Sequence, residues 1–175
     1  MLKAAGAKYV IIGHSERRAR GETNGIVAKE IGAALKEKLI VILCIGKRER
    51  DTHGEYFSFI ESQLRESLAG IAKKDMGRLV IAYEPVWAIG EKAKEADTPE
   101  GTFEISLFIR KILATIIGKE KAFAVQILYG GSVNQNNAAV FLKRGGVQGL
   151  LVGRASLDAR TFGEILKSAS MTKNT

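Results

Sequence analysis

The sequence is poor in the residues that would fix several kinds of chemistry. It holds one cysteine in 175 residues, so no disulfide can form within the chain. That residue, Cys44, lies in the apolar run LIVILCIG, where a packed thiol is expected and not a nucleophile. The two histidines, His14 and His53, stand apart, without the cysteine and acidic neighbours that ligate a metal, so no metal site is expected. No apolar run is long enough to cross a bilayer. The first residues lack the charged, apolar and small-residue succession of a secretory signal, and a cytoplasmic location is expected. The formal net charge is +8, yet Lys and Arg are spread among acids on helical faces, with no basic block and no interleaved aromatics. That argues against nucleic acid and leaves a solvated surface whose field would assist capture of a small anion.

What the chain does have is apolar content, 46% of its residues, enough for one soluble domain over residues 1–175 with a sizeable core. Five short apolar runs stand out: YVIIG from Tyr9, LIVILCIG from Leu39, LVIAY from Leu79, AVQILYGG from Ala124 and GLLVG from Gly149. None alternates with polar residues, as befits strands buried on both faces. Between them lie helical stripes, one through Tyr56, Phe59, Ile60, Leu64, Leu68 and Ile71, another through Ile105, Ile109, Ile112, Leu113, Ile116 and Ile117. Thr98 before Pro99 reads as a cap and first-turn proline for the second, and Asn134 as a cap for a shorter helix reaching Leu142. The order βα, five times over, implies a parallel sheet with right-handed crossovers, either doubly wound or curled as a barrel. The chemically suggestive residues fall just after each strand: His14, Gly46, Glu84, the Gly130–Ser132 group and Gly153. An even distribution over strand ends favours the barrel, because a doubly wound sheet gathers its ligand residues at one switch point.

The segment VIAYEPVWAIG carries the sharpest question, a carboxylate at the end of an apolar strand. Pro85 denies the strand a further ladder donor, so Glu84 reads either as a solvated closing residue or as a base held partly out of water. His14, in GHSERR, is a packed or capping residue or else an electrophile. Removing a proton next to a carbonyl needs a carboxylate for the proton and a donor for the developing oxyanion. Ser15 reads as a cap, and Glu16 with Arg17 and Arg18 as surface ion pairs. LYGGSV and LLVGR follow the last two strands, where barrels hold phosphate on backbone amides. Gly130, Gly131 and Gly153 would let a ligand approach the backbone, and Ser132 adds a hydroxyl. Trp87 and Ile89, with Gly90 beyond, line either a lid or the core. His53, in KRERDTHG, reads as a surface residue.

Taken together, AKYVIIGHSERR, AYEPVWAIG, ILYGGSV and GLLVGRASL resemble, in order, the signatures of the triosephosphate isomerase family. The likeness spans residues 7–157 and covers only part of that family's barrel, from the end of its third helix through strands four to eight. It implies a partial TIM barrel of five βα units with outer helices, and interconversion of dihydroxyacetone phosphate and glyceraldehyde 3-phosphate without a cofactor. By resemblance, Glu84 matches the base and His14 the electrophile. Gly90, Ser132, Gly153 and the backbone of Arg154 match positions that hold the phosphate, and Tyr129 a residue that latches the closed lid. That the imidazole works in its neutral form is a property of triosephosphate isomerase itself, not something these residues' spacing establishes.

Three departures stand out. After PVWAIG the stretch EKAKEAD replaces a short hinge with glycine and threonine, Arg154 stands where a second glycine is common, and Lys47 replaces an acid. A closed barrel has eight strands and about 250 residues. The unmatched first unit would carry the family's asparagine and lysine, and Glu16 resembles the acid that pairs with that lysine. An open sheet has bare edges and an apolar inner face, so a homo-oligomer is expected. Two functions are compatible with all this: an isomerase whose activity is weakened or lost without the early units, and a non-catalytic phosphate-binding or oligomeric scaffold module derived from the barrel.

Overall fold

Each of the five apolar runs forms a strand in the computed structural model, which describes residues 1–46, 55–88 and 97–172. The strands are β1 (Tyr9–Ile12), β2 (Ile40–Ile45), β3 (Leu79–Tyr83), β4 (Gln126–Tyr129) and β5 (Gly149–Leu150). They lie side by side in chain order, every pair parallel, with Ile11 opposite Ile42, Ile42 opposite Val80, and Ala82 opposite Leu128. Between them run α1 (Ser15–Ala19), α2 (Asn24–Lys36), α3 (Glu55–Ser67), α4 (Pro99–Ile117), α5 (Lys119–Ala124) and α6 (Ala138–Arg144), with α7 (Ala159–Thr172) last. A sheet in strict sequence order has no switch point, so it is an arc of a barrel and not a doubly wound sheet. Among the described residues the arc is open: β1 and β5 each pair on one side only.

The register divides the side chains into two sets, since alternate residues of a strand face opposite ways. Ile12, Val41, Leu43, Ile45, Leu79, Ile81, Tyr83, Ile127 and Tyr129 join one apolar cluster with Val27, Ile31, Ile60, Leu64, Ile109, Leu113, Phe141 and Ile165 from the helices. This helix side is the core. The other set, Tyr9, Ile11, Ile40, Ile42, Cys44, Val80, Ala82 and Leu128, points away from the helices. At the centre of the arc its members are buried, as Cys44, Val80 and Ala82 show, whereas Tyr9 and Ile11 at the β1 edge are exposed.

The local signals held in most places. Thr98 caps α4, its hydroxyl accepting from the Gly101 amide, with Pro99 in the first turn. Asn134 works one step earlier than expected. Its side chain accepts from the amides of Asn136 and Asn137, so it closes the turn before α6, and Asn137 is the residue flanking that helix. In the first stripe Phe59 falls on the exposed side of α3 and Ile71 lies beyond its end, while Gln63 joins the buried face instead. No helix among the described residues is long and apolar enough to cross a membrane. Lys47, His53, Ile89, Gly90 and most of EKAKEAD lie outside the described residues.

Candidate functional site at the strand ends

Glu84 follows β3 directly, and its amide donates to the Ile45 carbonyl at 2.7 Å, adding one more rung to the ladder between β2 and β3. The two strand ends approach so closely that a Cβ on Gly46 would lie 1.7 Å from the Glu84 carbonyl oxygen, so only glycine fits there. Gln63, from the buried face of α3, brackets Gly46 by accepting from its amide at 2.8 Å. This packing leaves the Glu84 side chain 3% exposed.

The carboxylate is nonetheless well partnered. Its Oε1 lies 2.9 Å from His14 Nε2, and its Oε2 accepts from the Ser15 amide at 3.0 Å. Burial pushes the Glu84 carboxyl above its ordinary range, and His14, the Ser15 amide, Arg18 and the Cys44 thiol offset that only in part. The same pocket raises the Cys44 thiol, through burial first and the Glu84 charge second, so the packed-thiol reading stands. A carboxylate held up in this way accepts protons more readily near neutrality than a solvated one.

His14 is presented by a turn with its own support. Gly13 adopts a left-handed conformation, φ +73°, and a Cβ there would run into Arg18 and the Cys44 carbonyl. Among the described residues Arg18 makes no surface ion pair. Its Nε donates to the Gly13 carbonyl at 2.7 Å and a second nitrogen to Asn24 Oδ1 at 2.6 Å, so the guanidinium clamps the turn beneath the imidazole. Arg17 makes the surface pairs, with Glu22 and Glu30. The cap of α1 is His14, not Ser15: its Nδ1 accepts from the Glu16 amide at 3.4 Å. With Nδ1 accepting, the ring proton sits on Nε2 and is donated to Glu84. An N–H donor and a proton acceptor thus share one hydrogen bond at the mouth of the arc.

Both residues open onto a cavity of about 690 Å³ that is also lined by Ser15, Glu16, Ser132, Gly153 and Arg154. The strand ends therefore bring together the predicted residues that can be described, except Tyr129. Its ring lies on the helix side, stacked on Phe141 at 3.9 Å, and the lid it would latch lies outside the described residues. Gly90 lies outside them too. The glycines after β4 line this cavity and also serve the protein's own packing. A Cβ on Gly130 would press on the Glu84 side chain, one on Gly131 would strike the Tyr129 hydroxyl, and the Gly130 amide already donates to the Tyr83 carbonyl. At Gly153, by contrast, a Cβ would meet open space. Ser132 Oγ donates to the Ala88 carbonyl at 2.9 Å, tying the β4 turn to the short turn Val86–Ala88 that follows Glu84. Trp87 in that turn packs against the core cluster.

Arg18 and Gln63 escaped the sequence reading. Gln63 had a signal, since a polar residue on the apolar stripe of α3 needs a buried partner. Arg18 had none, because nothing in GHSERR tells which arginine turns inward.

An acceptor of raised pKa beside an imidazole N–H, set at the ends of parallel strands with open glycine turns nearby, defines a protein of the βα-barrel class with its site at the C-terminal end of the sheet. A family model described as triosephosphate isomerase matches residues 1–169, and the chain belongs to that family. It is 44% identical to the triosephosphate isomerase of Protochlamydia amoebophila over 99% of its own length and 66% of the relative's. It is 43% identical to that of Caldanaerobacter subterraneus subsp. tengcongensis over 95% of its own length and 67% of the relative's. With the triosephosphate isomerase of Flavobacterium johnsoniae the identity is 43%, over 93% of this chain and 65% of the relative. The chain thus spans about two-thirds of the length of the curated relatives it matches.

Proposed function

We propose that this chain carries the proton-transfer half of a triose-phosphate isomerase site, interconverting dihydroxyacetone phosphate and glyceraldehyde 3-phosphate. Glu84 is the base that removes the proton next to the carbonyl. His14 donates its Nε2 hydrogen to the oxygen on which charge develops, and Ser15 holds the carboxylate between turnovers. The phosphate lies at the far side of the cavity against Ser132, Gly153 and the backbone of Arg154. Glu16 meets the cation that completes the site. The observation carrying this reading is the 2.9 Å contact between a buried carboxylate and an imidazole at the strand ends, in the cavity that also reaches Gly153.

The reaction is a step of glycolysis and gluconeogenesis, in keeping with a cytoplasmic setting. Activity of the isolated chain is expected to be weak, because an open arc does not exclude water from the reactive intermediate. In isolation its bare edges favour self-association into a homo-oligomer, which sedimentation at micromolar concentration would reveal. The open arc also favours a second reading, a phosphate-binding or scaffold module without turnover. A coupled assay with glyceraldehyde 3-phosphate, run beside Glu84→Gln, separates the two. The isomerase reading requires a rate at least about 100-fold above the variant's, the lower range for a positioned base. Equal rates, with phosphoglycolate still raising the melting temperature, would leave the binding module.

A further inference from the structure

The end of the sheet opposite Glu84 carries a group of cations that the strand-end site does not use. In a parallel sheet every segment entering a strand lies at the same end, and β3 and β4 are neighbours there. The segments that enter them, IAKKDMGR and GKEKAFAV, therefore adjoin, and lysines far apart in the sequence meet. Between the two segments is a hollow of about 210 Å³ lined by Lys73, Lys74 and Lys121, with Met76, Leu79 and Val125 also lining it. Those three apolar residues are buried, whereas all three lysines are exposed and make no ion pair among the described residues. Gly77 adds no side chain to the lining, and a Cβ there would meet open space.

The negative groups nearby are already engaged. Asp75, next to Lys74 in the chain, pairs with Arg78 at 3.6 Å, and Glu120 is not among the residues that line the hollow. The carbonyls at the end of α5 carry the negative pole of a helix and would repel an anion. Arg110 covers them, its guanidinium donating to the carbonyls of Ala122, Phe123 and Val125 at 3.2, 3.3 and 3.1 Å. Val125 lines the hollow, so a fourth cation stands behind its wall. Ammonium groups gathered around one hollow repel one another, and an anion that bridges them removes that repulsion.

We propose that this hollow binds a compact multivalent anion, an oligophosphate chain that is either free or the phosphate tail of a nucleotide. Linked phosphoryl groups engage several ammonium groups at once, whereas a single-charge anion engages them one at a time. The volume is below the roughly 300–1,000 Å³ of pockets that enclose drug-sized ligands, so a short phosphate chain enters and any attached organic body stays outside. The site lies at the opposite ends of the strands from His14 and Glu84 and requires nothing of the isomerase reading.

Inorganic tripolyphosphate titrated into the isotope-labelled chain, followed by amide NMR, tests this. The amide signals of Lys73, Lys74, Gly77 and Lys121 should shift and saturate at submillimolar ligand, with weaker binding when salt is raised from about 50 to about 250 mM. The triple variant Lys73→Gln, Lys74→Gln, Lys121→Gln should bind about tenfold more weakly and keep its far-UV circular dichroism, because the lysines lie outside the core. A control that removes the same charge elsewhere, Lys29→Gln, Lys143→Gln, Lys167→Gln, should bind like the parent. ATP run in parallel distinguishes the sources. Affinity no tighter than that of tripolyphosphate assigns the site to the free chain and tighter affinity assigns it to a nucleotide's tail, and either upholds the proposal. Shifts confined to Ser132, Gly153 and Arg154, no saturation, or equal weakening by the control variant would overturn it.

Discussion

On β1, Ile12 on the helix side is only 4% exposed, while on the other side of the same strand Tyr9 keeps 57% and Ile11 46%. The strand is the same and the residue types similar, so composition does not explain the difference. Each βα unit brings its own cover for the outer face, because the helix is joined to the strand it shields. In a closed barrel the inner face is covered by strands across the ring. Each unit's own sequence therefore completes one face of this molecule and leaves the other to contacts between units. The site lies where the two meet, at strand ends held from the helix side but open towards the interior.

The largest effect expected across this boundary is chemical. Glu84→Gln should lower the isomerisation rate by about 10²–10⁴-fold, the range for a positioned general base, measured in whichever assembly shows activity. Next comes the closed face. Ile81→Ala, in the middle of β3 under the helices, should cost about 2–5 kcal/mol by urea denaturation. A loss well below 1 kcal/mol would mean that the helix side is not the packed core described. Arg18→Met tests the clamp between the faces. Removing a charged donor from the Gly13 carbonyl should cost about 1.5–3 kcal/mol. Because Arg18 acts through His14, kcat should fall more than KM rises, and Arg18→Lys should restore part of it.

A smaller effect concerns pH. Glu84 binds its proton more tightly folded than unfolded, so its contribution to stability is present below the ordinary glutamate range and is lost as pH rises through the raised value. Glu84→Gln should therefore melt higher than the parent near pH 7 and lose that advantage near pH 4. An advantage that persists in acid would detach the effect from ionisation. The smallest change is at the open face, where Tyr9→Glu should alter the stability of the isolated chain by less than about 0.5 kcal/mol. Its near-silence beside Ile81→Ala would mark the contrast between faces most plainly.

The sequence was legible where a signal is local. Unbroken apolar runs placed all five strands, and Thr98 before Pro99 placed the start of α4. Strand-end position brought His14, Glu84, Ser132 and Gly153 to one cavity before any distance was known. Contacts between units were not legible. Gly46 reads as one of the chemically suggestive strand-end residues, but its lack of a side chain is required by the Glu84 carbonyl of the next strand. Gly130 and Gly131 read as ligand clearance; they line the cavity and also make room for Glu84 and Tyr129. Arg18 turns inward to a carbonyl five residues back, a choice set by the left-handed turn at Gly13 and by Asn24, not by its neighbours in GHSERR.

The account rests on Glu84 taking a proton from carbon, and isotope exchange reads that event without requiring full turnover. Dihydroxyacetone phosphate incubated in D2O with the chain should take up one deuterium at the carbon bearing the hydroxyl, seen by proton NMR, and Glu84→Gln should abolish the uptake. Equal incorporation with the variant, or none above the buffer rate with the parent chain, would contradict it.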